Sequence, residues 1–130
     1  MKEKILVCVT VQEGCVGLIR SGHDLALAAG ADMHVLHVSE NKSMLGSPEN
    51  AAILNTLFSL VREAEAEMSI LYDRDVAGAI ARHAKQLGAG TLILGPNRTG
   101  LTDRVRALLP PEVRLINSEG PSNETQEKAF

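Results

Sequence analysis

Short, unbroken apolar runs alternating with helix-length amphipathic stretches restrict this chain to very few folds. Ile5-Leu6-Val7-Cys8-Val9 has no polar side to offer water, so as a strand it must be covered on both faces. Met33 to Val38 and Thr91-Leu92-Ile93-Leu94 read the same way, with shorter strands at about Met68 to Leu71 and at Val113-Arg114-Leu115-Ile116. Between them the apolar spacing changes to three and four. Cys15, Leu18, Ile19, Gly22, Leu25, Ala26 and Ala29 form one stripe, with Arg20, His23 and Asp24 pointing away and Gly30 as the stop. Ile53, Leu54, Leu57, Val61, Ala64 and Met68 form a second, entered through Ser47-Pro48 as cap and first helical residue. Asp75 caps a third helix with Val76, Ala77, Ile80, Ala84 and Leu87 inward and Gly88 at its end. A short fourth helix spans Leu101 to Leu109 and stops at Pro110-Pro111. Strand and helix alternating in this way give an α/β fold: a single parallel open sheet, right-handed crossovers, helices on both faces.

At 130 residues the chain has room for one core. Residues 1–117 form the expected domain, and the polar, Gly/Pro/Asn-punctuated stretch from Ser118 to Phe130 is expected to be a disordered tail. Thirteen basic against 16 acidic residues give a net charge of −3, which provides no general attraction for nucleic acid or an anionic membrane. Two Phe, one Tyr and no Trp leave no platform for stacking bases. No apolar run reaches membrane-helix length, and the start lacks a signal peptide's apolar stretch and cleavage site. Two cysteines, Cys8 and Cys15, suit reduced thiols and a cytoplasmic location better than a disulfide framework.

Parallel α/β sheets bind ligands outside the carboxyl ends of their strands. Here that crevice is framed by Thr10 to Gly14 and by Gly95-Pro96-Asn97-Arg98-Thr99-Gly100. The second loop joins a buried strand to a helix start, where backbone N–H groups and the helix dipole favour an anion and Asn97 and Arg98 add donors. A plain strand-to-helix turn also selects Gly, Pro and Asn, so both readings stand. Gly14-Cys15-Val16-Gly17 with Glu40 is only half of a dinucleotide fingerprint, and Cys15 on the apolar stripe reads as a small core residue. His34 and His37 are three apart in a strand and face opposite sides, so they cannot share a metal; His23 and His83 lie on different helices. Glu63, Glu65 and Glu67 read as a solvated helix face. There is no nucleophile elbow, no P-loop and no nucleophile paired with a base, so no catalytic or metal site is expected.

Ile5 to Val9, Gly30 to Val38 and Thr91 to Gly100 together resemble the universal stress protein family, from about Lys4 to Asn117. Within it, Ile5 to Val9, Leu18-Ile19-Arg20-Ser21-Gly22, and Asp75-Val76-Ala77 leading to Ile93-Leu94-Gly95 with Arg98 look most like the universal-stress domain of Kdp-type potassium sensor kinases. The resemblance implies strand order 3-2-1-4-5, a role in stress or osmotic signalling, and homodimers through strand five, whose Val113, Leu115 and Ile116 form an apolar edge that needs covering. It also implies ATP, held by an Asp ending strand one and a Gly-x-x-Gly-(nine residues)-Gly-Ser/Thr loop. The chain departs from that pattern: Thr10 stands for the Asp, Arg98 for the second glycine, Leu108-Leu109 for the last pair. Exchanging a charged contact worth about 1.5–3 kcal/mol for a neutral one of about 1 weakens ribose binding several- to tenfold. Some Kdp-type domains hold cyclic di-AMP through motifs whose spacing falls here on Thr10-Val11-Gln12 and Met33-His34-Val35-Leu36-His37.

The resulting expectation is a non-catalytic regulatory module with its usual ATP binding altered, sensing a nucleotide, a cyclic dinucleotide or another anionic small molecule. Gly95, Asn97, Arg98, Thr99 and Gly100 would hold the anion, with Thr10, Val11, Gln12 and Val38 nearer the base or ribose. The alternatives are a ligand-free dimeric interaction module, with a signalling protein as partner, and a weak nucleotide hydrolase.

Overall fold

The computed structural model describes residues 3–9, 15–39, 48–95 and 100–117. In chain order these form β1 (Lys4–Cys8), α1 (Cys15–Ala29), β2 (Asp32–Ser39), α2 (Pro48–Glu63), β3 (Glu67–Tyr72), α3 (Val76–Leu87), β4 (Thr91–Leu94), α4 (Leu101–Leu108) and β5 (Arg114–Asn117). The strands make one sheet of order β3-β2-β1-β4-β5, parallel at every pairing. Ile5 lies between Met33 and Thr91, and Cys8 between Leu36 and Leu94.

Alternation along β1 explains why its sequence is apolar throughout. Ile5, Val7 and Val9 point to one side, where Leu18, Ile19 and Ala26 of α1 and Leu57 and Val61 of α2 cover them. Leu6 and Cys8 point to the other, against Ala77, Ile80, Ala81 and Ala84 of α3 and Val105 of α4. Small residues on α3 let that helix approach the sheet closely. On the first face the same function falls to Gly22, where an added Cβ would stand 2.5 Å from Val7 Cγ2 and 3.2 Å from Met33 Sδ.

Local signals set the ends of α3. The Asp75 carboxylate accepts from Gly78 N–H at 3.1 Å, and Gly88 takes the left-handed conformation (φ 73°) that closes the helix.

Several boundaries differ from the sequence expectation. Ala29 is exposed at the end of α1. Ala64 lies beyond α2, and Met68 belongs to β3, which runs from Glu67 to Tyr72. Glu63, Glu65 and Glu67 do not share a helix surface: α2 ends at Glu63, Glu65 turns the chain at φ 56°, and Glu67 opens β3. Their period of two belonged to a helix end, a turn and a strand. The fourth helix stops at Leu108, and β5 runs from Arg114 to Asn117, leaving Val113 in the turn before it. Ser47 and residues 118–130 lie outside the described residues.

Candidate functional site at the carboxyl ends of the strands

The order β3-β2-β1-β4-β5 places α1 and α2 on one face and α3 and α4 on the other, and the chain reverses direction across the sheet between β1 and β4. That reversal opens a crevice where the two strands end. On the β4 side the chain leaves through Gly95, whose missing Cβ would lie 3.2 Å from Leu18 Cδ2 of α1. Gly95, with its bare Cα, lets α1 pack closely against the strand end. Its carbonyl accepts from Asn117 Nδ2 at 3.0 Å, and the same amide nitrogen lies 3.2 Å from Thr102 Oγ1. Asn117 thus ties the end of β5 to the end of β4 and the first turn of α4.

Gly100 starts α4 from the left-handed region (φ 72°, ψ 21°), a conformation that suits glycine, and it makes no side-chain cap hydrogen bond. Asp103 lies in that first turn and already supplies some negative charge to the positive end of the helix dipole. An anion at this helix end therefore needs cationic help, and the nearest candidate in sequence is Arg98.

On the other side, the chain beyond β1 keeps its pairing for one more residue, with Val9 N–H donating to the Leu36 carbonyl at 2.9 Å. The Val9 carbonyl accepts from His37 Nδ1 at 2.9 Å. A carbonyl can only accept, so Nδ1 carries a proton and donates it, while Nε2 is buried and without a hydrogen-bond partner among the described residues. Farther out, Ser39 carbonyl accepts from Asp73 N–H at 2.9 Å, joining the ends of β2 and β3. Asp73 is committed to structure: one carboxylate oxygen accepts from Asp75 N–H and the other meets Arg82 Nη2 at 2.8 Å.

Of the expected site residues, Gly95, Gly100 and Val38 are brought to this end of the sheet. Val38 is half-buried and packs toward α3, away from the α1 face occupied by His37. Thr10, Val11, Gln12, Asn97, Arg98 and Thr99 lie outside the described residues, as do Gly14 and Glu40. Leu108 and Leu109 are not loop residues. Leu108 ends α4, exposed, and Leu109 is buried against the α3 core cluster, because α4 begins directly after Gly100. Counting nine residues beyond Arg98 therefore leads to the far end of a helix, not back to the crevice.

Sequence reading missed His37 and Asn117 as parts of this region. In the sequence His37 stands out only as a metal-ligand candidate and as the end of the Met33 to His37 segment at cyclic di-AMP motif spacing, and Asn117 only as a chain boundary. A polar residue at the last strand positions was the available signal for both. The expectation that His34 and His37 face opposite sides holds, with His34 against α3. No group of three or more metal-ligating side chains occurs among the described residues. The Cys8 thiol is buried, and burial raises its pKa far above the usual thiol value, so it is inert rather than reactive.

The family model for the universal stress protein family matches residues 1–109. The chain belongs to the universal stress protein family. Among curated proteins it is similar to the sensor protein KdpD of Escherichia coli (strain K12), 29% identical over an alignment covering 94% of this chain and 16% of KdpD. The match thus spans about a sixth of that sensor's length. Among solved structures it is similar to a universal stress protein from Archaeoglobus fulgidus, at 16% identity and a TM-score of 0.68, covering 90% of this chain and 93% of the other. A universal stress protein from the same organism, solved in complex with dAMP, matches at 14% identity and a TM-score of 0.67, covering 90% and 97%. At these identities the structural likeness establishes the fold. No helix among the described residues is long and apolar enough to cross a membrane.

Proposed function

We propose that this protein is a non-catalytic regulatory module of stress or osmotic signalling that senses a nucleotide-like anionic small molecule at the β1/β4 crevice. The observation that carries the reading is the strand reversal between β1 and β4, with Gly95 at the floor and the glycine-led start of α4 beside it. Family membership and the likeness to a universal stress protein solved with dAMP support a nucleotide as the ligand class. The likeness to a domain-sized part of KdpD supports a signalling role. Thr10 and Arg98 stand where the family pattern has an Asp and a glycine, so the ligand is held differently from ATP: less grip on the ribose, more positive charge for the phosphate. Losing the glycines that let the backbone approach a polyphosphate favours a mononucleotide or cyclic dinucleotide over ATP.

Calorimetric titration and thermal shift with AMP, ATP, cyclic AMP and cyclic di-AMP test this. Wild type is expected to bind AMP or a cyclic nucleotide more tightly than ATP. Arg98→Ala should weaken that binding by about ten- to a hundredfold, the equivalent of one charge-assisted hydrogen bond. Absence of binding by wild type at millimolar ligand would remove the proposal, and phosphate release above the Arg98→Ala control would replace it with the hydrolase reading.

A second reading rests on β5. It is an edge strand whose Leu115 and Ile116 are half-buried, with exposed Leu108 nearby in sequence at the end of α4. Pairing of two such edges would make the functional unit a homodimer that presents a surface to a protein partner.

A further inference from the structure

At the opposite pole, near the amino ends of the strands, a group of titratable side chains plays no part in the crevice. His34 of β2 turns toward α3, its side chain 14% exposed, and meets His83 of α3 ring to ring. The centroids are 5.2 Å apart and the planes are tilted by 46°. Sheet and helix therefore touch here through two imidazoles. His34 Nε2 shares a hydrogen bond with Ser69 Oγ of β3 at 3.0 Å, and its Nδ1 lies 3.7 Å from Glu67 Oε1. The Glu67 side chain is 87% exposed, so water screens most of its attraction for a charged ring. Nε2 of His83 is buried without a partner among the described residues. Lys4 of β1 adds a positive charge, and Asp32 and Glu65 complete the charged rim of a cavity of about 330 Å³ that His34 also lines.

We infer that His34 forms a proton-operated clasp against His83, joining β2 to α3, closed while the His34 ring is neutral and forced open when acidification charges it. A neutral His34 ring packs on its neighbour as a flat, weakly polar plate, whereas an imidazolium there is a charge held out of water against a second ring. Burial, then the neighbouring His83, hold the proton affinity of His34 below the ordinary imidazole value; Glu67 opposes them and Lys4 adds to them. The sign follows. The unfolded chain, in which His34 titrates near pH 6.5, takes up the proton before the folded chain does. The stability that His34 contributes is therefore present above that value and lost as pH falls beneath it. Because α3 leads directly into β4, loosening α3 reaches the strand whose carboxyl end floors the crevice.

Thermal midpoints of the full chain between about pH 7.5 and pH 5.5 test the clasp in wild type, His34→Asn, His83→Gln and the double variant. Wild type should lose about 3–6 °C more over that range than the double variant. In NMR titrations, His83→Gln should raise the proton affinity of His34 about threefold or more. Parallel midpoint curves for wild type and the double variant would overturn the inference, as would an unmoved His34 titration in His83→Gln. Should the variants not fold, the wild-type spectrum decides: His34 titrating at or above the ordinary imidazole value sinks the clasp.

Discussion

Asp75 shows how much one short side chain settles. Its carboxylate closes the first turn of α3 through Gly78 N–H, while its own N–H is held by Asp73, which in turn grips Arg82 about two helix turns onward. A Cβ on Gly78 would meet that carboxylate, the free end of a short side chain that can shift to admit it. Asp75→Ala is expected to cost about 1 kcal/mol, read as a lower urea midpoint with unchanged slope, and Asp75→Asn much less, because an amide oxygen also caps. Equal losses in the two variants would show that charge, not the cap hydrogen bond, holds this turn.

At the scale of elements, close approach of α1 to the sheet depends on Gly22. An added methyl meets Val7 Cγ2 at 2.5 Å in a face where Val7 is wholly buried, so helix or strand must move. Gly22→Ala should therefore destabilise by about 1–3 kcal/mol despite alanine's better helix propensity, a sign that denaturant midpoints would check directly. The contrast marks what sequence could show. The apolar stripe placed Gly22 inward, and the unbroken runs Ile5 to Val9 and Thr91 to Leu94 gave the central strands, because burial on two faces leaves no other pattern. β3 was harder to delimit. It lies at the sheet edge, its middle is only half-buried, and Glu67 at its start continues by chance the spacing of Glu63 and Glu65. The site was legible only in outline. Gly95 and Gly100 were found because glycine marks special backbone, whereas His37 and Asn117 act through bonds to Val9 and Gly95, 28 and 22 residues away, which no local pattern encodes. Counting to Leu108 and Leu109 misled for a related reason: spacing carries over between relatives only where the loop between strand and helix keeps its length.

The whole molecule is asymmetric across its sheet. One edge, β3, is buttressed by α2 and by the tie from Ser39 to Asp73; the other, β5, is short and is held by β4, by Asn117 and by Arg106, which donates to the carbonyls of Val113 and Pro110. Arg114 N–H donates inward to Gly90, so alternation along the strand turns the N–H and carbonyl of Leu115 to the outer edge. An outward donor and acceptor between half-buried apolar side chains is the template on which a second copy of β5 could pair. If the dimer is the functional unit, sedimentation velocity at micromolar protein should give a species of twice the monomer mass. Leu115→Pro removes only an outward N–H from the backbone ladder and should shift that species to monomer, with circular dichroism at low temperature unchanged. A wild-type protein that stays monomeric across that range would leave the edge unpaired and the dimer reading without support. A proline variant that still dimerises would place the interface on a helical face instead, with Leu27 of α1 and Phe58 of α2 as the exposed apolar residues to replace next.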